Sequence, residues 1–265
     1  MARSKGIIKI NGLLDGISFY VRNGKEMARI PNAPDKNKMQ NNPNYIRTRE
    51  NNQEFGGAAT VGKALRVGLV QVFKHMSDSQ GNARIVKLVK DMLNKNDGIR
   101  GQRAFEPVVH ASMLHNFAFH DQLSFDSIFL APFSSEVNAD RSGVKLTIPD
   151  FHTGNMVNAP RGATHIRLVN AVTVLSAFQY NGNTKKYEPV DAFNNSKNTL
   201  AASDYIALGG QAGVSTELIA NISGLNGMLD SSALISCIGI EFYQQTSGSM
   251  YLLASGNAMK IQAVY

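Results

Sequence analysis

The alternation of apolar and polar positions changes character along the chain. Near the start, Ile17, Phe19 and Val21 alternate with Ser18, Tyr20 and Arg22, the two-residue period of a half-buried strand. Asn23-Gly24 can supply the positive φ angles of a tight turn, so Lys25 to Ile30 is predicted to return as the second strand of a hairpin. Gly6 to Ile10 is a further short apolar run of β type. Residues 31–42, with Pro31, Pro34, Asp35 and interspersed Lys and Asn, have connector composition and no periodicity. Residues 1–41 therefore read as a hairpin arm and connector, able to reach a neighbouring subunit.

From Asn42 the period lengthens to that of a helix. The Asn42 side chain can cap a helix end, and Pro43 suits the first helical position because its missing N–H would have no partner there. The helix is predicted to run towards Met76, broken near Gly56-Gly57, with Val61, Ala64, Leu65, Gly68, Leu69 and Val72 on one side. A second helix follows Asp78 or Ser79. It sets Ile85, Val86, Leu88, Val89, Met92 and Leu93 against Arg84, Lys87, Lys90 and Lys95, and ends at Asn96-Asp97-Gly98. A short helix is expected at about Pro107 to Asn116. Beyond Leu123, β-type runs recur at Ser127–Pro132, Val144–Ile148, Thr164–Tyr180, Leu218–Ile222, Ala233–Tyr243, Met250–Leu253 and Met259–Val264, between Gly, Asn, Ser and Pro turns. The expected fold class is α+β: an N-terminal β-hairpin and helical segment (the helical region 42–122), followed by a C-terminal antiparallel β-sandwich over residues 123–265.

Charge adds an asymmetry. The net charge is +7, but residues 1–110 carry 19 Lys and Arg against 9 Asp and Glu, and residues 111–265 carry 8 against 11. Such a division favours an acidic or nucleic-acid partner for the first half, or contacts between unlike surfaces of copies of the chain; solvated basic helices are the plainer explanation. No apolar run approaches the ~20 residues that span a bilayer, and Lys9 and Asp15 interrupt what would be a signal core. With a single Cys237, the expected location is the cytoplasm, in a particle or filament that the cell releases if assembly follows.

The chemical motifs thin out on inspection. Gly57 to Lys63 reads Gly-x-x-x-x-Gly-Lys, yet Ala64 stands where a phosphate loop needs Ser or Thr, and the polar stretch Arg47 to Gln53 leads in where a buried strand should. Gly56, Gly57, Gly62 and Gly68 are read instead as points where another element packs close to a helix. His110, His115 and His120 recur every five residues, which turns them away from a shared face, so satisfied structural histidines are expected and not a zinc site. There is no Gly-x-Ser-x-Gly elbow and no close carboxylate pair in the sequence for acid–base work. Arg47 and Arg49 with Glu50 and Glu54 have the spacing of same-helix ion pairs.

Lys5-Gly-Ile-Ile-Lys-Ile-Asn-Gly12 with Ile17-Ser-Phe-Tyr20, Arg47-Thr-Arg-Glu-Asn-Asn-Gln-Glu-Phe-Gly56 and Gly239-Ile-Glu-Phe-Tyr-Gln-Gln-Thr246 are stretches in which the chain resembles a family of uncharacterised bacterial proteins of similar length. The resemblance spans most of the chain and implies no catalytic residues. The functional expectation is a non-enzymatic structural subunit that self-assembles into a filament, tube or shell, with no cofactor. Its expected contacts with copies of itself are Ile17, Phe19, Tyr20, Arg47, Arg49, Phe55, Phe242 and Tyr243. The alternative is a nucleic-acid-binding protein using the basic first half, with Arg84, Lys87 and Lys90 as phosphate contacts.

Overall fold

In the computed structural model, which describes residues 2–3, 10–22, 24–31 and 36–265, the chain divides into two units, Met1–Arg49 and Glu50–Tyr265. In the first, β1 (Ala2–Arg3), β2 (Gly12–Leu14), β3 (Ile17–Arg22) and β4 (Lys25–Arg29) form an antiparallel sheet in the order β1-β4-β3-β2. The predicted hairpin is present: Arg22 faces Lys25, and Gly24 has φ +71°. Asn23 and the Gly6–Lys9 part of the predicted apolar run lie outside the described residues. A second tight turn at Asp15-Gly16, with φ of 47° and 75°, joins β2 to β3; Asp-Gly is a hairpin signal of the same kind. The connector holds a short helix, α1 (Lys36–Asn41), where composition pointed only to a linker. Arg49 Nη1 donates to the carbonyls of Met39 and Asn42 at 2.9 and 3.0 Å, satisfying acceptors that a helix end leaves open.

Asn42 caps as expected, its Oδ1 accepting the Asn44 N–H at 2.9 Å over a 3-10 turn at Pro43–Tyr45. Then α2 (Ile46–Gly68) runs unbroken through Gly56-Gly57, and the interruption falls instead at Leu69, before α3 (Val70–Met76). α4 (Gly81–Lys95) buries Ile85, Val86, Val89, Met92 and Leu93 as its apolar stripe predicts. The helix expected at Pro107–Asn116 shrinks to one turn, α5 (Ala111–Leu114); just past its end Asn116 takes φ +61° and gives its N–H to the Ile261 carbonyl.

The β-rich part follows as α6 (Phe125–Ile128), β5 (Ser134–Val137), β6 (Gly143–Ile148), α7 (Thr153–Met156), β7 (His165–Leu175), β8 (Phe178–Asn181), β9 (Lys186–Pro189), β10 (Asn198–Ala202), β11 (Ile206–Ala207), β12 (Thr216–Asn221), β13 (Ala233–Thr246), β14 (Ser249–Leu252) and β15 (Ala258–Val264). Among the described residues, the larger sheet runs β10-β7-β13-β14, with β11 beside β7 and β15 beside β13. A three-stranded sheet runs β12-β6-β5, and β8 pairs with β9. All pairings are antiparallel. The run predicted as a strand at Ser127–Pro132 is a helical turn followed by a single bridge from Phe129 to Val157. Phe125, Ile128 and Phe129 are spaced to share one side of that turn, and all three are buried.

Both long central strands are covered on both faces, which explains their near-absence of charge. Odd positions Val169, Ala171, Leu175, Ala233, Ile235 and Cys237 join the helices in one core; even positions Ile166, Leu168, Ile238, Ile240 and Phe242 join Leu146, Ile148 and Leu218 of the smaller sheet in another. The result is an α+β fold in which an antiparallel sandwich carries a helical layer on its outer face. Asn170, buried between the two sheets, donates Nδ2 to the carbonyls of Val144 and Leu218 and thereby ties β6 and β12 of the smaller sheet to β7.

Candidate assembly interface

A small sheet persists in water by burying one of its faces. The Met1–Arg49 unit does not do so: none of its described residues is buried, and Leu13 and Ile30 are 69% and 78% exposed, with Leu14 and Val21 also open. The predicted contacts Ile17, Phe19 and Tyr20 all lie on β3; Ile17 is exposed, the other two are half-buried, and the Arg29 guanidinium stands 5.4 Å over the Tyr20 ring. Charge follows the same division. Residues 1–49 hold 10 Lys and Arg against 3 Asp and Glu, whereas residues 50–265 hold 17 against 17, so the whole net charge of +7 resides on the sheet unit. Arg47 lies exposed on the first turn of α2, and Arg49 is committed to the α1 carbonyls.

Of the other expected contacts, Phe55 is 58% exposed on α2 and forms, with Ala59, Ala83 and Val86, the apolar floor of a groove of about 480 Å³ edged by Lys87 and Lys90. Phe242 and Tyr243 are placed otherwise. Phe242 is fully enclosed in the core between the sheets, and Tyr243 is buried with its hydroxyl donating to Glu241 at 2.7 Å. Neither reaches a surface where a second copy could touch it, because β13 is covered on both faces; in that hairpin it is Tyr251 that is exposed.

The three residues expected to meet phosphates are engaged differently. Arg84 grips Asp78 through Nη1 at 2.9 and 3.0 Å and the Phe119 carbonyl through Nη2 at 2.6 Å. Lys90 binds Glu54 at 2.5 Å and Asn94 at 2.8 Å, which leaves Lys87 as the exposed one of the set. A further basic cluster lies where α2 meets α3. There Lys63, Arg66 and Lys74 surround Val67, Val70 and Phe73 in a groove of about 270 Å³, and Arg66 Nε is buried with no hydrogen-bond partner.

Gly57 to Lys63 lies wholly inside α2, where backbone N–H groups serve the helix and none is free to cradle a phosphate. The close-packing reading holds for three of the four glycines. A Cβ at Gly57 would meet the Tyr187 ring at 2.5 Å, at Gly62 Ile85 and Val86 at 3.3 Å, and at Gly68 Thr173 Oγ1 at 2.0 Å; Gly56 faces open space. His110 Nε2 contacts Asn96 at 2.5 Å, while His120 Nδ1 accepts the N–H groups of Gln122 and Leu123. Among the described residues no group of three or more His, Cys, Asp or Glu side chains could hold a metal ion.

Long-range folding also assembles polar sites that local spacing concealed. Glu54 is buried, with Lys90 on one oxygen, the Gly101 N–H on the other at 2.8 Å and Arg103 at 3.7 Å. Burial pushes its carboxyl up, but those partners outweigh it and hold the group below the ordinary carboxylate range. Glu241, on the helix-facing side of β13, is bonded by His75 at 2.7 Å and by the Tyr243 hydroxyl. Burial again opposes and the hydrogen bonds again prevail, while burial and the Glu241 carboxylate push the Tyr243 hydroxyl to about 12. Both sites join a helix to a strand or loop distant in sequence, and both satisfy every charged group they bury.

A groove of about 470 Å³ lies between the β10–β11 margin of the larger sheet and β12 of the smaller one, lined by residues 202–207, 211–212 and 214–218. Asp204 and Glu217 are its charged lining residues, and Tyr205 and Val214 stand exposed beside them. Comparison with known proteins returns no match to a family model, a curated protein or a solved structure.

Proposed function

We propose that the chain is a non-enzymatic structural subunit whose N-terminal sheet is completed by another copy of the same chain, so that copies join into a filament, tube or shell. The observation that carries this reading is the sheet unit without a buried residue among those described. Ordering a residue costs about 1–2 kcal/mol of backbone entropy, and a sheet whose side chains are at most half-buried has little to offset it until a partner covers it. The unit also presents strong positive charge while the rest of the chain is neutral, so its partner surface differs from itself. A contact between unlike surfaces repeats from copy to copy and closes into a ring or continues as a helix.

Sedimentation velocity of the full chain across protein concentration and salt, with negative-stain microscopy of the same samples, tests this. Species larger than a dimer that grow with concentration and shrink with added salt are expected. A monomer under every condition contradicts the proposal. Assembly that appears only on adding an oligonucleotide favours the nucleic-acid reading, for which the Lys63, Arg66 and Lys74 groove supplies the surface.

A further inference from the structure

We propose that the acceptor for the N-terminal sheet is the groove at residues 202–218 of a second copy. This rests on the self-assembly reading and names the surface it uses. Three features of the groove fit the sheet. Its lining takes in the end of β10 (Ala202), β11 (Ile206–Ala207) and the first half of β12 (Thr216–Leu218) together with the loops between them; β10 and β11 pair with β7 and β12 with β6, so among the described residues no strand pairs with the outer edge of any of the three. An edge of that kind offers backbone groups to an added strand. The incoming sheet itself ends in an edge strand, β2, whose Leu13 and Leu14 are exposed.

The apolar surfaces correspond as well, since the groove shows Val214, 70% exposed, and the Tyr205 ring, against the bare aliphatic side chains of the sheet. Charge supplies the third match. The sheet unit carries ten basic and three acidic residues, and the groove is lined by Asp204 and Glu217 with no Lys or Arg. The nearby cations are occupied: Lys145 is bound to Glu217 at 2.7 Å, and Arg167 donates to the Ser203 carbonyl at 3.0 Å while lying over the Tyr205 ring. Asp204 has no ion-pair partner among the described residues and is the carboxylate left to receive a basic side chain of the neighbour. Complementary charge of this kind chiefly sets orientation and the rate of encounter, with the apolar contact holding the pair together.

The test uses the full chain with Leu13→Cys and Val214→Cys together. Cys237 is buried and burial pushes its thiol up, so it stays out of the reaction. Under diamide, a ladder of disulfide-linked multimers on a non-reducing gel is expected from the double variant, and at most dimers from either single variant. In parallel, Asp204→Lys is expected to raise the concentration needed for assembly about tenfold. A fast-migrating internally linked monomer would show the sheet docking on its own chain and overturns the proposal. A wild-type protein that assembles while the double variant gives no ladder and Asp204→Lys assembles normally also overturns it, leaving self-assembly standing. A wild-type chain that never assembles removes both.

Discussion

Glu54→Ala is expected to lower the free energy of unfolding by about 3–5 kcal/mol, the range for removing one partner of a buried ion pair. The substitution strands Lys90 and Arg103, both largely enclosed, and leaves the Gly101 N–H without its acceptor. Glu54→Gln keeps the shape and an acceptor for Gly101 and should lose less. Urea denaturation monitored by circular dichroism gives both values. The pH dependence has a definite sign. Because the folded carboxyl is held below its ordinary value of 4.5, its contribution is fully present above that value and is lost as pH falls through the lower folded value. The gap between wild type and Glu54→Gln should therefore be widest near neutrality and narrow on acidification; a gap that widens in acid contradicts this account of the site.

The second large effect is a reversal of sign along one helix. Alanine in place of glycine ordinarily stabilises a helix interior by about 0.5–1 kcal/mol. At Gly68 the added methyl would stand 2.0 Å from Thr173 Oγ1, which is buried and hydrogen-bonded to the Lys197 carbonyl, so neither side can yield cheaply. Overpacking of this kind costs about 1–3 kcal/mol, and Gly68→Ala is expected to lie at the upper end of that range. Gly57→Ala should behave similarly against the buried Tyr187 ring, whereas Gly56→Ala, facing open space, should stabilise. Thermal melts of the three variants decide the matter, and a stabilised Gly68→Ala would show that α2 does not lie against β7 as described.

These two sites also show what the sequence disclosed and what it withheld. Local signals were legible: the Asn42 cap, the apolar stripe of α4, the β3–β4 hairpin and the nearly uncharged runs of β7 and β13 each declare themselves within a few residues. The glycines of α2 announced close packing, although not which of them, since Gly56 and Gly57 differ only in the side of the helix they occupy. Glu54 was read as half of a same-helix pair because its true partners, Lys90 and Gly101, stand 36 and 47 residues away. Phe242 and Tyr243 resembled exposed residues of an edge hairpin, and only the layering of helices on one face of β13 and strands on the other encloses them. The short strands β9, β10 and β11 carry no clear alternation, because their side chains are mostly half-buried and composition barely constrains them.

The central claim is that the N-terminal sheet is held by a neighbouring copy. Hydrogen–deuterium exchange of residues 10–31 in the full chain, measured by mass spectrometry from dilute to concentrated protein, tests it most directly. Rapid exchange is expected in that segment when the chain is dilute and strong protection once it assembles, with the β7 and β13 amides protected throughout. Protection of residues 10–31 that is the same at every concentration would contradict it.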